Sequence, residues 1–435
     1  MRHARPIRGH QKREVHRGVN LGVPAENAVG WHVILGDNGS GKSSFLRAIA
    51  VTLVGPDDVG GLRQSGEDWL RRGESQGSIG VVFAGDDTFD RLGEPGRQSN
   101  KYTSLVQIGG RYKAYPPTQV FLNVSPSQPV RGVLPEPSVW SPSATGWFAA
   151  GFGPFRRFTG GDADAKRLAE KQPRLARFLS LFDERFALSD ALDWLVELKF
   201  MAVSGKDDGL FERVKAFVNQ PGFLPFGVRL ADVEPPKRVL FLDGAGARVP
   251  IEELSDGFRS ILSLTLELLR HLTIAFDPES VFDPSGTMVL PPGVVLIDEV
   301  DVHLHPTWQK SVGTWLTEAF PNVQFIVTTH SPLACRGAAK GSIFVLPPHG
   351  QRGPGRALEG AEKDRLIFGN VLDAYGTGAF GTGVEQSDAG RTKLERLAEL
   401  NAKEFEADLL PEEQTEREEL RRVLPSRAAT VDGAK

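Results

Sequence analysis

Hydrophobic positions near the start of the chain gather into the run "WHVIL" at 31–35 and then recur at intervals of three and four through "KSSFLRAIAVTLV". This change of period predicts a strand, a Gly-rich loop and a helix from about 42 to 53. From 55 to 140 the chain is rich in Gly, Pro and Ser, and the pieces "SIGVVFA", "TSLVQIG" and "TQVFLNV" predict an antiparallel subdomain with long loops. Between about 163 and 218 the period turns helical, in "RLARFLSLFDERF" and "DALDWLVELKFM". Strand candidates come next near 226–232, 238–242 and 247–251, and a helix opens at "SDGFRS". The apolar runs "GVVLIDE" and "VQFIVTT" enclose a helix near 306–319, the alternation of a parallel sheet buried on both faces. Past 347, "PHGQRGPGR" loosens the chain, and "RTKLERLAELNAKEFEADLLPEEQTEREELRRVL" predicts charged helices with a frayed tail after 425. The fold class read from this order is α/β. No internal repeat or sustained heptad seam is present.

Composition narrows the setting without naming a partner. A chain of 435 residues, 40% hydrophobic and 24% charged, has enough apolar material for two or three domains or one large domain with insertions. A formal net charge of -4 gives no overall attraction to nucleic acid or an anionic membrane, although a local basic patch is compatible with it. Cys335 is the single cysteine, which excludes an intramolecular disulfide framework and fits a reducing cytoplasm; it is expected as a small buried apolar residue. The basic start "MRHARPIRGHQKR" leads into no apolar segment and does not read as a secretion signal. "ILSLTLELLRHLTIAF" is interrupted by Glu267 and Arg270, so it is expected as a core helix and not a membrane span. A cytoplasmic protein with no membrane partner is the expectation.

Candidate chemistry sits where the predicted elements meet. "GDNGSGKS", Gly36 to Ser43, satisfies GxxxxGK[ST] between a predicted strand and helix, where successive backbone N–H groups cradle phosphate oxygens. Lys42 would reach the β and γ phosphates of ATP and Ser43 would ligate Mg²⁺. In "VVLIDE" an apolar strand delivers Asp298 to the sheet edge as a Mg²⁺ holder, with Glu299 beside it as a general base; the competing reading is two carboxylates capping the next helix. "ELSDGFRS" places Ser255, Asp256 and Gly257 at a helix start, which alone is only a good N-cap. "TTHSP" puts His330 at a strand end, suited to sensing a γ-phosphate. His303 and His305 form HxH near Asp298, Glu299 and Asp301; a transition-metal site is one reading, and a turn lining a subunit contact is the better one.

Taken in order, "GDNGSGKS", "LSDGFRS", "VLIDEVDVHLHPTWQ" and "TTHSP" resemble the Walker A, signature, Walker B with D-loop, and switch histidine of ABC-type ATPases. The likeness is strongest to stand-alone bacterial AAA-type ATPases of the RecF, OLD and SMC-like group, with the Septu- and retron-type defence ATPases nearest. "FAAGFGPFRRF" at 148–158 is similar to a Gly-aromatic-Arg element those proteins carry before a helical insertion. The resemblance implies an ABC-type P-loop fold with a parallel sheet core, an antiparallel β subdomain and a helical insertion. It divides the chain into an N-terminal ATPase part (1–54), the β subdomain (55–160), the insertion (161–225), a C-terminal ATPase lobe (226–346) and a helical extension (347–435). It implies phosphate contacts from Gly36, Asn38, Gly39, Ser40, Gly41, Lys42, Ser43 and Ser44, and Mg²⁺ held through Ser43 and Asp298. Glu299 would be the base, His330 the switch, and Ser255 and Gly257 the contacts to a γ-phosphate held by a second copy; Asp301 and His303 would lie at the D-loop.

Three departures shape the functional expectation. Gln107 and Gln128 both compete for the Q-loop position. The interval from Ser43 to Leu254 lacks heptads for a long SMC-type arm, and no acidic cluster of the Toprim nuclease type comes after His330. The leading expectation is an ATPase whose ATP-sandwiched homodimer switches a protein effector, such as a separate nuclease, in anti-phage defence or DNA repair. The alternatives are an ATPase or nuclease acting directly on DNA, for which "FRRF" and "RLARF" are the local evidence although both read more readily as ordinary solvated basic faces, and a transporter ATPase subunit.

Overall fold

The computed structural model describes residues 27–55, 58–62, 64, 69, 77–83, 86, 88–90, 102–108, 122–125, 146–158, 167, 171–206, 209–234, 238–351, 353–380, 387–406 and 409–424. The basic start, Gln128 and the tail after 425 lie outside the described residues. The chain separates into two units, the first ending at Phe368 and the second starting at Gly369.

In chain order, the first unit contains β1 (Gly30–Leu35), α1 (Lys42–Val54), β2 (Gly77–Phe83), β3 (Tyr102–Ile108), β4 (Leu122–Ser125), β5 (Ala149–Phe152), α2 (Asp190–Val203) and α3 (Leu210–Val218). Next come β6 (Arg229–Glu234), β7 (Arg238–Leu242), β8 (Arg248–Pro250), α4 (Asp256–Ala275), β9 (Gly293–Ile297), α5 (Pro306–Ala319), β10 (Val323–Thr328), β11 (Gly341–Val345), β12 (Arg356–Ala357) and α6 (Gly360–Phe368). The main sheet has the order β12-β11-β1-β10-β9-β5. Its strands run parallel except for the short edge strand β12. Two antiparallel sheets, β2-β3-β4 and β6-β7-β8, stand apart from it.

The apolar runs become central strands because both of their faces are covered. All six residues of β1 are buried. On one face α1 contributes Leu46, Ile49 and Leu53 to a cluster with Ile34, Leu296, Ile326 and Phe344. On the other, Trp31 donates its indole N–H to the Ala334 carbonyl at 2.9 Å and packs on Phe325. A Cβ at Gly313 of α5 would come within 2.9 Å of both Gly337 and Trp31, so the helix closes on the sheet only because that position is bare. α4 is buried along most of its length, as expected of a core helix rather than a span, and among the described residues no helix is long and apolar enough to cross a membrane.

The main difference from the expected elements lies in "RLARFLSLFDERF". In place of a continuous helix it forms two single turns, Pro173–Ala176 and Leu179–Phe182. The carbonyl of Arg177 accepts the Gly151 N–H of β5 at 2.8 Å, and that of Leu181 accepts Arg47 Nε at 2.9 Å. Pairing with a strand edge therefore replaces part of the helical ladder, a tertiary override of helical periodicity. β5 itself lies in an interval expected to hold only the antiparallel subdomain, yet it pairs with β9.

The second unit includes α7 (Asp388–Glu406) and α8 (Pro411–Val423), an antiparallel pair bridged by Arg396 to Glu416 at 2.9 Å and Lys403 to Glu413 at 2.6 Å. These are the charged helices expected from the sequence. Such exposed pairs are screened by solvent and add little to stability.

Candidate functional site

The register of three neighbouring strands builds the site. Ile34 lies opposite Thr328, and Val327 opposite Ile297, so β1, β10 and β9 end at the same edge of the sheet. Beyond those three strand ends lie the Gly36–Ser43 loop, Thr329–His330, and Asp298–Glu299 respectively. Carboxyl-terminal strand edges are where open α/β sheets bind ligands.

The loop turns through Gly39 at φ 76° and Gly41 at φ 94°, left-handed positions that a side chain would strain, and α1 starts directly after Gly41. The backbone N–H groups of Lys42, Ser43 and Ser44 therefore occupy the first turn of a helix, where they lack intrahelical acceptors. Lys42 retains 6% exposure and donates to the carbonyls of Gly36 at 2.9 Å and Asp37 at 3.1 Å. Burial lowers its pKa, and Glu299, Asp298, Asp37 and Asp301 oppose that shift. The Ser40 hydroxyl is buried with no hydrogen-bond partner. Asn38, Gly39 and Ser44 are exposed, and Gly36, Ser43 and Gly41 are half-buried. A buried hydroxyl left over beside a cation and a helix N-terminus fits a phosphate group.

Asp298 is 1% exposed, and its Oδ1 accepts the Thr328 hydroxyl at 2.5 Å. The same Thr328 oxygen accepts the Glu299 N–H at 2.7 Å, which orders the chain amide, hydroxyl, carboxylate. Glu299 adopts φ 46°. A non-Gly residue in this region costs on the order of 1–3 kcal/mol and persists only where its surroundings impose it. The helix-capping reading of the two carboxylates is not what the structure shows: the N-cap of α5 is His305, whose Nδ1 accepts the Thr307 N–H at 3.3 Å. Asp298 and the hydroxyl of Ser43 lie after neighbouring strands at this edge and offer oxygen donors of the kind a hard cation such as Mg²⁺ takes.

His330 is half-buried, and the residues on both sides of it are tethered. Thr329 donates its hydroxyl to Asp301 at 2.5 Å. Ser331 donates to Gln309 Oε1 at 2.7 Å, and Gln309 Nε2 donates to the Leu304 carbonyl at 2.8 Å. Asp301 and His303 thus lie in a turn fixed against the His330 segment. His305 serves as the cap of α5, and among the described residues no group of three His, Cys, Asp or Glu side chains is placed to hold a metal. Cys335 is buried, as expected, and burial pushes its thiol pKa up.

Ser255 takes the N-cap position of α4 but makes no capping hydrogen bond with its side chain, and it is exposed. Gly257 is buried; a Cβ there would lie 2.8 Å from the His303 carbonyl oxygen, so the helix start abuts the 301–305 turn. Phe258 packs edge-on to Trp308 at 4.8 Å. Ser255 and Gly257 therefore belong to a surface beside that turn, next to the sheet edge and outside the Gly36–Ser43 loop.

Arg156 is the residue sequence reasoning undervalues. The "FRRF" pattern predicts a solvated basic face, yet this side chain is 5% exposed. Its Nη1 donates to the carbonyls of Gly153 at 3.1 Å and Asp298 at 2.9 Å, its Nη2 to those of Glu299 at 3.0 Å and Val300 at 3.4 Å, and its Nε to the Ser260 hydroxyl at 3.1 Å. Burial lowers its pKa to about 10, against the pull of Asp301, Asp298 and Glu299, so it stays cationic at neutral pH. Arg177 in "RLARF" likewise lies against an aromatic ring, 5.0 Å from the centroid of Phe148. The signal available in the sequence is the Gly-aromatic-Arg element itself. Gln107 lies in β3, where only the backbone is described, so neither Q-loop candidate can be assigned a contact.

Residues 142–336 match the family described as "AAA domain, putative AbiEii toxin, Type IV TA system". The Septu protein PtuA of Bacillus mycoides (strain KBAB4) is 26% identical over 326 residues, covering 74% of this chain and 37% of that protein. The "Retron Ec83 probable ATPase" of Escherichia coli is 38% identical over 126 residues, 29% of this chain and 21% of that protein. The "Retron Vc95 probable ATPase" of Vibrio cholerae serotype O1 biovar El Tor is 42% identical over 101 residues, 23% and 18% respectively. The chain thus matches well under half the length of these curated relatives. Among solved structures, an SMC head bound to the C-winged helix domain of ScpA is 18% identical and covers 77% of this chain and 92% of that chain, with a TM-score of 0.41.

A Gly-rich loop opening a helix, at the edge of a parallel sheet whose neighbouring strands end in Asp-Glu and Thr-His, has the arrangement of a P-loop phosphate-binding fold. Over residues 142–336 the chain is thus similar to AAA-domain proteins, and over parts of its length to the Septu protein PtuA and the retron probable ATPases.

Proposed function

We propose that the chain is an ATP-driven switch: two copies sandwich ATP, hydrolyse it, and in doing so regulate a protein effector, such as a separate nuclease, in anti-phage defence. The observation that carries this reading is the convergence of the Gly36–Ser43 loop, Asp298–Glu299 and His330 at one sheet edge. The Gly36–Ser43 backbone, with Asn38, Ser40 and Ser44 at its rim and helix start, would bind the ATP phosphates. Lys42 would move from its carbonyl partners to the β and γ phosphates, which offer a charged acceptor in place of neutral ones. Mg²⁺, held by Ser43 and, through water, Asp298, would neutralise phosphate charge. Glu299 would take a proton from the attacking water as its oxygen bonds to the γ-phosphorus and the bond to the β-γ bridging oxygen breaks. His330 would contact the γ-phosphate and report its loss to the 301–305 turn through Thr329 and Ser331.

The sandwich is supported by Ser255, which stands exposed at a helix N-terminus with its hydroxyl unused for capping. A γ-phosphate held by a second copy would complete that end, and Gly257 would let the backbone approach. The defence role rests on the Septu and retron relatives, and effector regulation is the use such a dimer would serve. Direct action on DNA is less well supported, because burial of Arg156 removes half of the "FRRF" patch on which that reading depends.

Ser255→Arg tests the shared site. The variant should bind ATP as a monomer with near-wild-type affinity, fail to dimerise with ATP, and lose hydrolysis by about 10²-fold or more, since the cation blocks the docking phosphate. Light scattering with and without ATP, alongside steady-state hydrolysis, gives the answer. An ATP-dependent dimer in this variant would remove Ser255 from the interface.

A further inference from the structure

A guanidinium buried in the core must be compensated for its lost hydration, and a well-packed apolar side chain would fill the same space without that cost. Arg156 therefore has to be explained by what its donors do. Four of its five hydrogen bonds go to main-chain carbonyls, and three of those belong to the consecutive residues Asp298, Glu299 and Val300. Successive carbonyls can face a single point only if the chain turns sharply, and the turn is made by Glu299 in its left-handed conformation. The N–H of that residue is held from the opposite side by Thr328. Both peptide planes flanking the Glu299 Cα are thus pinned, which fixes the direction in which its side chain leaves the backbone. The fifth hydrogen bond runs to Ser260, in the second turn of α4, whose N-terminus carries Ser255 and Gly257. One side chain accordingly joins three elements: the end of β5, the turn after β9 and the start of α4.

We propose that Arg156 is a positioning residue for hydrolysis: it holds the Glu299 carboxylate in its working direction and, through Ser260, ties that direction to the seating of the Ser255–Gly257 end of α4. The inference rests on Glu299 being the general base. It has a mechanical consequence. When a phosphate docks on the start of α4 and shifts the helix, the movement reaches the candidate base of the same chain through a single guanidinium. The base is then aligned only when α4 is seated, which restrains hydrolysis in an isolated copy.

Arg156→Lys keeps the charge but offers three donors on a flexible stem in place of a planar fork, so it cannot hold three carbonyls and Ser260 together. Ser260→Ala leaves the carbonyl grip intact and removes only the link to α4. In the full chain, Arg156→Lys should lower kcat by about 10-fold or more and Ser260→Ala by about 3-fold, with the Kd for ATP·Mg²⁺ within about 2-fold of wild type in both, because the Gly36–Ser43 loop is untouched. Combined with Glu299→Gln, Arg156→Lys should cost less than about 2-fold further in single-turnover hydrolysis, since a residue acting through Glu299 has nothing left to align. Thermal melting identifies a variant that has lost its fold, and if Arg156→Lys melts early the decision passes to Ser260→Ala. Wild-type kcat in the folded variants, or a loss of ATP affinity parallel to the loss of rate, overturns the proposal. Full additivity with Glu299→Gln does so as well. Glu299→Gln alone separates the two failures: if it slows hydrolysis while Arg156→Lys and Ser260→Ala do not, the base reading stands and the positioning role falls.

Discussion

Lys42 donates to two carbonyls of its own loop, a geometry that holds a cation in place until an anion outcompetes neutral acceptors. Removing it should leave the loop shape largely intact, because Gly39 and Gly41 set the turns and α1 is anchored by Leu46 and Ile49. Lys42→Ala should therefore fold with an unchanged melting temperature and bind a non-hydrolysable ATP analogue about 10²-fold more weakly or not at all. Calorimetry measures this directly, and wild-type affinity in a folded variant would end the phosphate-loop assignment. Residues of this kind are legible in sequence because their chemistry is local: the loop needs glycines and a lysine at fixed spacing on a contiguous stretch. Asp298 is legible for the same reason, at the end of an apolar run. Arg156 is not, because its acceptors are carbonyls up to 144 positions away, and a carbonyl has no residue identity for a sequence pattern to display. Ser255 is legible in place but not in detail. The sequence predicts an N-cap, and only the structure shows a hydroxyl that does not cap.

At the scale of elements, β1, β9 and β10 are readable because burial on both faces demands unbroken apolar runs. β5 is not, since "AAGF" is short, and a Cβ at Gly151 would come within 2.8 Å of Leu181, so the strand is shaped by a neighbour instead of by its own pattern. α4 shows what periodicity leaves out. Its buried Glu267 meets Arg270 and, at 3.2 Å, His271 Nε2, and Arg270 reaches Asp190 of α2 at 3.9 Å. Burial pushes the Glu267 pKa up, but the Arg270 cation and the hydrogen bonds from Arg270 and His271 outweigh it and bring the carboxyl to about 2, below its ordinary value of 4.5; burial lowers the His271 pKa, so the lasting cation of the group is Arg270. A carboxyl with a depressed folded-state pKa contributes stability that is complete above the unfolded value and is lost as pH falls toward the folded one. Glu267→Gln should accordingly lower the stability of the chain by on the order of 2–4 kcal/mol at pH 7, and the gap from wild type should narrow as pH falls from about 4.5 toward 2. Melting curves across that range check it. A gap that does not change with pH would mean the charge of Glu267 adds nothing.

For the whole molecule, the proposed switch requires that a site at one sheet edge act on the surface. The structure supplies a short chain of restraints from the sheet edge to the surface. Thr328 joins Glu299 to Asp298, Thr329 joins Asp301 to the His330 segment, and the His303 carbonyl abuts Gly257 at the start of α4. On the proposed reading, loss of the γ-phosphate would relax these restraints, so a protein that cannot hydrolyse ATP should stay in the sandwiched form. Glu299→Gln keeps the shape of the side chain and removes its basicity, so it should bind ATP and Mg²⁺ while hydrolysing at least about 10²-fold more slowly. The ATP-bound dimer should then accumulate, because turnover no longer drains it, and an effector that recognises this dimer should dissociate more slowly. Asp298→Asn should behave differently, weakening nucleotide binding and the Mg²⁺ requirement together, since it alters the donor set and the Thr328 link while leaving the base in place. Steady-state hydrolysis and ATP-induced dimer lifetime, measured for both variants, distinguish a base from a metal holder. If Glu299→Gln turned over at the wild-type rate, water would have to be activated from elsewhere at the edge, with His330 the next group to test, and the restraints around Glu299 would have to serve the backbone turn alone.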